Sequence, residues 1–218
     1  MTVRLVVVCT ANICRSPLAA AMLAAQVRDR GAEAHVVVTS AGVDARHGDP
    51  AAPPSVAIAR ERGLDLVAHR SRPVDDDLDD EHGRTVLLTM TSVQRALLAA
   101  VDGSLATRCF SLRELARLVR GIDPRGLPDV ADDRVLEVVR RADALRSDAL
   151  RGDALRADNR RAGDGRGRTR GSSAATSTLA GPDDIADPYG RSDAHYRAMA
   201  AAAQEAIDAL APVLLGPR

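Results

Sequence analysis

Short apolar runs alternate with helical patterns along the first 120 residues. The run from Val3 to Val8 has the length and β-branched content of a buried parallel strand. A helix opens at Pro17, with eight residues between it and the end of this strand, at a position where a helix tolerates proline. The patterns predict strands at 3–8, 35–40, 85–90 and 106–110, and helices at 17–30, 54–62, near 73–82, 91–100, 111–120 and 191–211. This alternation is typical of an α/β single domain, with an open parallel sheet flanked by helices.

Residues 121–182 break this pattern. They hold a DALR unit three times, at 143–146, 148–151 and 153–156. A five-residue period is not helical, so the leucines spiral around a helix without forming an apolar stripe. An Arg/Gly-rich stretch follows at 160–170, with the composition of a solvated linker. We therefore expect one domain built from residues 1–120 and 183–218, and a low-complexity, partly disordered insertion at 121–182.

Composition excludes several classes of function. The 218 residues carry 30 acidic and 30 basic side chains, and all of the basic ones are arginine. The formal net charge is therefore zero, and it does not attract the protein to nucleic acid or to a membrane. Only Phe110, Tyr189 and Tyr196 are aromatic, too few to stack single-stranded nucleic acid. The N-terminal apolar run is too short for a signal peptide or a membrane span, which predicts a cytoplasmic protein. Three cysteines and the lack of metal-ligand spacing predict no disulfide framework, metal or cofactor.

The eight residues from Cys9 to Ser16 form the predicted turn from the first strand into the first helix. Such a turn directs backbone N–H groups and the positive end of the helix dipole into one concavity, which suits a tetrahedral oxyanion. The same field favours the thiolate of Cys9, a nucleophile. Arg15 would hold two phosphoryl oxygens with its planar fork, and Ser16 could donate its hydroxyl to the thiolate. Asn12 is a residue type that tolerates left-handed backbone.

The string from Val8 to Pro17 resembles the signature loop of low-molecular-weight protein tyrosine phosphatases, and Asp187-Pro188-Tyr189-Gly190 resembles their general-acid segment. Thr39–Gly42 and Leu64–Arg72 are similar to two further family segments. The resemblance implies a phosphate-binding loop after the first strand and a bacterial type of enzyme, with which Gly190 agrees. It also places the insertion before the general-acid loop.

The resemblance also implies roles for individual residues. The catalytic residues are Cys9, Arg15 and Asp187, with Asp184 as the rival acid. Phosphate is bound by the remaining loop residues Thr10, Ala11, Asn12, Ile13, Cys14 and Ser16. Ser40, His69 and Tyr189 support the site. Cys14 is either a packed side chain or the partner of Cys9 in a reversible disulfide, and Cys109 belongs to the core.

The predicted activity is hydrolysis of phosphotyrosine in proteins through a phosphocysteine intermediate. Three alternatives stay open. An arsenate reductase on the same fold needs downstream cysteines, of which only Cys109 is available. A phosphoarginine phosphatase shares the machinery, but that branch places threonine where Ile13 stands. A non-catalytic phosphate-binding regulator requires an impaired loop, for which Ala11, in place of the usual glycine, is the one candidate.

Overall fold

The computed structural model describes residues 2–75, 83–163 and 181–217, with the backbone alone over 152–163. Within these residues one parallel sheet runs in the order β2-β1-β3-β4. Its strands are β1 (Val3–Cys9), β2 (Val36–Gly42), β3 (Thr85–Thr89) and β4 (Cys109–Ser111). The predicted α/β fold with a parallel sheet is confirmed. The strands that follow β1 lie on both sides of it, β2 on one side and β3 on the other. The carboxyl end of β1 is therefore at the topological switch point, where sheets of this kind bind ligands.

Helices cover both faces of the sheet. They are α1 (Arg15–Arg28), α2 (Pro53–Glu61), α3 (Ser92–Val101), α4 (Leu112–Leu118), α5 (Ala131–Gly163) and α6 (Asp193–Leu215). Successive residues of β1 point to opposite faces. Leu5 and Val7 join the larger apolar cluster with α1, α4, α5 and α6, whereas Val6 and Val8 join a smaller one that includes Leu98 of α3. The core is therefore divided between two layers of helices.

The predicted elements that the structure describes begin and end within four residues of their predicted positions. The strand predicted from residue 106 begins at Cys109, because Gly103–Thr107 form a 3₁₀ turn. Asp102 starts that turn by accepting a hydrogen bond from the Ser104 N–H at 2.8 Å. The helix predicted near 73–82 falls mostly on residues 76–82, outside the described residues.

The segment predicted as an insertion begins with packed structure. The first turns of α5 bury Val135, Val138 and Ala142 in the larger cluster. Arg146 then lies over the Phe110 ring, 4.2 Å from its centroid. The packed domain therefore continues into α5, whereas the sequence predicts that it is interrupted from residue 121 onward. The reason is a helical spacing of valines that precedes the DALR units and that the prediction overlooked. The side chains of 152–163 and all of 164–180 lie outside the description, and an insertion there stays a prediction.

Helix α6 is the longest apolar helix among the described residues. Its 23 residues are long and apolar enough to span a membrane, but half of the most apolar window is buried in the protein. The buried side includes Tyr196, Ile207 and Leu210. A core helix passes the same test of length and composition, and the buried side of α6 packs in the larger apolar cluster.

Candidate active site

Residues 10–14 form the turn from β1 into α1, so the turn predicted over 9–16 is shorter, with its first residue in the strand and its last two in the helix. Cys9 is the last residue of β1 and is 2% exposed. Asn12 has a φ of 55°, the one left-handed backbone among the non-glycine residues that the structure describes. Ala11 does not have a positive φ, so alanine is not strained at this position. The loop therefore does not need glycine at residue 11.

Asn12 holds the loop together from its centre. Its side-chain amide donates to the Ser16 hydroxyl at 2.8 Å and to the Ser40 hydroxyl at 2.9 Å. Its side-chain oxygen accepts the Arg72 N–H at 3.1 Å. These bonds join the loop to β2 and to the segment before β3, and Asn12 is fully buried. The structure thus brings Ser40 to the position expected of a supporting residue.

His69 supports the same residue from outside. Its Nε2 lies 2.7 Å from the Asn12 carbonyl oxygen, which can only accept, so Nε2 carries the proton. The pKa of His69 is lowered, mainly because the ring is buried. The hydrogen bond to Asn12 raises the pKa and the nearby Arg70 charge lowers it, and both effects are smaller than that of burial. The neutral imidazole is therefore the form that braces the loop.

Cys9 is surrounded by hydrogen-bonding groups. The Asn12 backbone N–H donates to its sulfur at 3.3 Å, and the Ser16 hydroxyl lies 3.0 Å from it. The same hydroxyl also lies 3.2 Å from the Ala41 carbonyl oxygen. Because Ser16 has one proton, its hydroxyl donates either to the Ala41 carbonyl oxygen or to the sulfur, and donation to the sulfur requires that Cys9 is not itself the donor. The arrangement accommodates a thiolate with two donors.

Arg15 and Asp187 meet across the cleft. The Arg15 Nη2 lies 2.5 Å from Asp187 Oδ2 and also donates to the Thr10 hydroxyl at 3.3 Å. The Arg15 side chain is 5% exposed, whereas that of Asp187 is 48% exposed. Arg15 Nε is buried and has no partner among the described residues. The guanidinium thus keeps a donor for a bound oxyanion.

Asp184, the rival acid, serves another purpose. One carboxylate oxygen accepts the Ser92 N–H at 2.7 Å, which caps α3, and the other accepts the Gly181 N–H at 2.9 Å. Asp184 does not line the cleft over Cys9, whereas Asp187 does. The geometry favours Asp187 as the acid.

The cleft over Cys9 has a volume of about 430 Å³. Ile13, Asp187 and Tyr189 line it, and the Tyr189 ring is 68% exposed at the rim. Asp44, Arg46 and Asp49 also line it. The volume and the side chains of Ile13 and Tyr189 suit a flat ring that carries a phosphoryl group.

Cys14 lies behind the loop. Its sulfur is 3.5 Å from the Tyr196 hydroxyl, and burial is the main cause that raises its pKa. Cys109 lies in β4, where burial raises its pKa to about 12. All three cysteines are free in the structure. A Cys9–Cys14 disulfide therefore stays a prediction.

Two contributors to the site were missed from the sequence. The Gln94 side chain of α3 donates to the Thr10 hydroxyl at 3.1 Å. In the sequence Gln94 is only the third residue of a helix that Thr91 caps, which does not indicate a contact with the loop. Gly42 packs so closely on the loop that a Cβ there would lie 2.4 Å from the Thr10 carbonyl oxygen. The Thr39–Gly42 segment is recognised from the sequence, but the sequence does not show why residue 42 has to be glycine. Among the described residues, no three His, Cys, Asp or Glu side chains cluster to hold a metal.

Comparison with known proteins agrees with this geometry. The sequence model described as low molecular weight phosphotyrosine protein phosphatase matches residues 4–123. A probable low molecular weight protein-tyrosine-phosphatase, EpsP of Ralstonia solanacearum, is 34% identical over 111 residues, 51% of this chain and 71% of that protein. A protein-arginine-phosphatase of Geobacillus stearothermophilus is 33% identical over 132 residues, 59% of this chain and 82% of the relative.

A solved structure is similar over nearly the whole chain. The YwlE arginine phosphatase from Geobacillus stearothermophilus has a TM-score of 0.56 and 26% identity, and the match covers 96% of this chain and 90% of that one. The family match extends over more than half of this chain and includes the whole loop from Cys9 to Ser16. The chain belongs to the low molecular weight phosphotyrosine protein phosphatase family.

Proposed function

We propose that this phosphatase hydrolyses phosphotyrosine in proteins through a phosphocysteine intermediate. One observation carries the proposal: Cys9, Arg15 and Asp187 line a single cleft. A nucleophile, a cation for the oxyanion and a proton donor are what cleavage of a phosphate ester needs.

In the first step the phosphoryl group enters the loop. Its oxygens take hydrogen bonds from backbone N–H groups of the loop and from Arg15, whose buried Nε has no partner in the described residues. The Cys9 thiolate attacks phosphorus in line, the S–P bond forms, and the bond to the phenol oxygen breaks. Ser16, 3.0 Å from the sulfur, donates to the thiolate and so stabilises it.

The ion pair between Arg15 and Asp187 links the binding of phosphate to the protonation of Asp187. When phosphate arrives, its oxygens compete for the Arg15 Nη2 that now holds Asp187 at 2.5 Å. Asp187 then faces a negative phosphoryl group without its cation, which favours the protonated carboxyl. It is thus prepared to give its proton to the leaving phenol oxygen.

In the second step Asp187, now a carboxylate, removes a proton from water. The water oxygen attacks phosphorus, the S–P bond breaks, and phosphate and the Cys9 thiolate are released. Atoms and charges balance without a cofactor. Independence of a cofactor and a cytoplasmic, bacterial setting are predictions from the sequence.

An aryl phosphate is the preferred substrate for two reasons. Ile13 and the exposed Tyr189 give the cleft apolar walls, against which the ring of a phosphotyrosine can pack. The arginine-specific branch that the chain resembles has threonine in place of Ile13.

Phosphoarginine is the second candidate, because the relatives include named arginine phosphatases. Asp44 and Asp49, which also line the cleft, are acceptors for a guanidinium group. The arsenate reductase alternative is disfavoured, because Cys109, the downstream cysteine, is buried in β4 with a raised pKa. A non-catalytic regulator is disfavoured because the backbone at Ala11 does not need glycine.

The test compares two peptides of one sequence, one with phosphotyrosine and one with phosphoarginine at the same position. We expect a kcat/KM at least about 10-fold higher for phosphotyrosine, or about 1.4 kcal/mol of transition-state discrimination. Cys9→Ser should abolish both activities but still bind phosphate. A preference for phosphoarginine would refute the substrate, and turnover by Cys9→Ser would refute the mechanism.

A further inference from the structure

The Thr10 side chain lies where the phosphate loop meets helix α3. Thr10 is exposed and lines the cleft over Cys9. Its hydroxyl oxygen accepts one hydrogen bond from the Gln94 side chain, at 3.1 Å, and another from Arg15 Nη2, at 3.3 Å. A residue of α3 and a residue of α1 therefore hold this hydroxyl group in place.

The orientation of the Gln94 amide group is fixed by its oxygen atom. Gln94 Oε1 lies 3.1 Å from the backbone nitrogens of both Met90 and Thr91, which can only donate. The atom that accepts both bonds must be the oxygen, so the atom that faces Thr10 is the nitrogen Nε2. Because an amide nitrogen only donates, the direction of the bond from Gln94 to the Thr10 hydroxyl is settled.

These two bonds determine what the Thr10 hydroxyl can still do. A hydroxyl group has two acceptor lone pairs and one proton to donate. Gln94 and Arg15 occupy both lone pairs, since amide and guanidinium N–H groups only donate. The proton remains, and none of the described residues accepts it in a hydrogen bond. It is therefore available to a ligand in the cleft.

We propose that the Thr10 hydroxyl donates a hydrogen bond to a phosphoryl oxygen of the bound substrate, and that Gln94 is the positioning residue that directs it there. This inference rests on the proposed function and adds a side-chain donor to the backbone N–H groups and Arg15. Arg15 Nη2 carries two protons, of which one is directed to Asp187 and one to Thr10. Thr10 therefore keeps both of its donors when phosphate displaces Asp187.

Asp187 is the competing acceptor, because its Oδ2 and the Thr10 hydroxyl oxygen share Arg15 Nη2 as a donor. The two carboxylate oxygens of Asp187 already accept from the Tyr189 N–H and from Arg15. In its role as proton donor, Asp187 is protonated, and a neutral carboxyl group accepts more weakly than a charged phosphoryl group. The acceptor for the hydroxyl is therefore the phosphoryl oxygen.

Binding of inorganic phosphate tests the donor directly. In the Cys9→Ser chain, calorimetry measures phosphate affinity without turnover, so the result does not depend on which phosphorylated residue is the substrate. Thr10→Val removes the hydroxyl at nearly constant volume and should weaken phosphate binding at least about 10-fold, the effect of one hydrogen bond to a charged group, whereas Thr10→Ser should stay within about 3-fold. Native affinity in Thr10→Val, or equal losses in both variants, would overturn the proposal.

Gln94→Glu tests the positioning role. A carboxylate still accepts the N–H groups of Met90 and Thr91, but it accepts from Thr10 and so withdraws the proton from the cleft. Its effect on phosphate affinity should be at least about 3-fold smaller in the Thr10→Val background, because the two residues act together. Equal losses in both backgrounds would show that the new charge acts alone, and would overturn the role of Gln94. Urea unfolding checks that each variant folds.

The active chain separates the two possible acceptors. A donor to the phosphoryl oxygens stabilises the oxyanion whatever the leaving group, whereas a group that acts on Asp187 matters most when the leaving group needs a proton. Thr10→Val should therefore lower kcat/KM by a similar factor for aryl phosphates with good and with poor leaving groups. A loss confined to poor leaving groups would assign the hydroxyl to Asp187 and would overturn the proposal.

Discussion

Gly42 limits the shape of the phosphate loop, and replacing it with alanine is the most specific test of that contact. An added Cβ would lie 2.4 Å from the Thr10 carbonyl oxygen and 2.9 Å from the Asn12 nitrogen. Both are backbone atoms, so the loop itself must move. Overpacking of this kind costs about 1–3 kcal/mol of folding free energy. Displacement of loop N–H donors costs more, because losing one oxyanion donor lowers kcat by about 10²–10³.

We therefore expect Gly42→Ala to fold, to lose about 1–3 kcal/mol of stability in urea unfolding, and to lose at least about 10²-fold in kcat with a small aryl phosphate. Gly103→Ala is the matched control, since a Cβ there meets nothing within 4 Å. Its kcat should equal that of the native chain. A Gly42→Ala variant with native kcat and native phosphate affinity would refute the inference that the backbone of β2 fixes the loop.

Three further predictions concern the support of the site and the boundary of the domain. Arg146→Met should lower the free energy of unfolding by about 2–4 kcal/mol, because it removes bonds to two backbone carbonyls and a ring contact. Arg151→Met, the same position of the next DALR unit and 75% exposed, should change it by less than about 0.5 kcal/mol. Burial lowers the pKa of His69, so its contribution to stability is present above about pH 6.5 and is lost as the pH falls through the folded pKa. His69→Gln should flatten that pH dependence in urea titrations, and an unchanged pH dependence would contradict the assignment. Replacing residues 152–180 with a Gly/Ser linker should keep hydrolysis of a small aryl phosphate within about 10-fold, or about 1.4 kcal/mol, and a larger loss would show that this stretch belongs to the domain.

The sheet and the loop could be predicted from the sequence because both are encoded locally. The strand from Val3, the nucleophile at its end and Arg15 at the start of α1 lie within 13 residues, and their spacing alone defines the concavity. The parallel direction of the strands followed from general rules of α/β connection, whereas their order in the sheet was not predicted.

Contacts between distant segments could not be predicted in the same way. Gln94 supports Thr10 from a helix more than 80 residues away, and nothing in its own neighbourhood indicates that contact. The docking of Arg146 on Phe110 was hidden by the repeat, since its DALR unit has the same letters as an exposed one. Identical local sequence thus has different roles, because tertiary packing decides which copy is buried.

The most direct test of the mechanism is to trap the intermediate. Turnover of a phosphotyrosine peptide is stopped by rapid quenching, and peptide mass spectrometry locates the phosphoryl group on the enzyme. The mechanism predicts a phosphoryl group on Cys9 during steady turnover. Its level should rise when a good leaving group makes release of phosphate from the enzyme the slow step. Steady turnover with no phosphoryl group on Cys9, or with the group on another residue, would contradict the account.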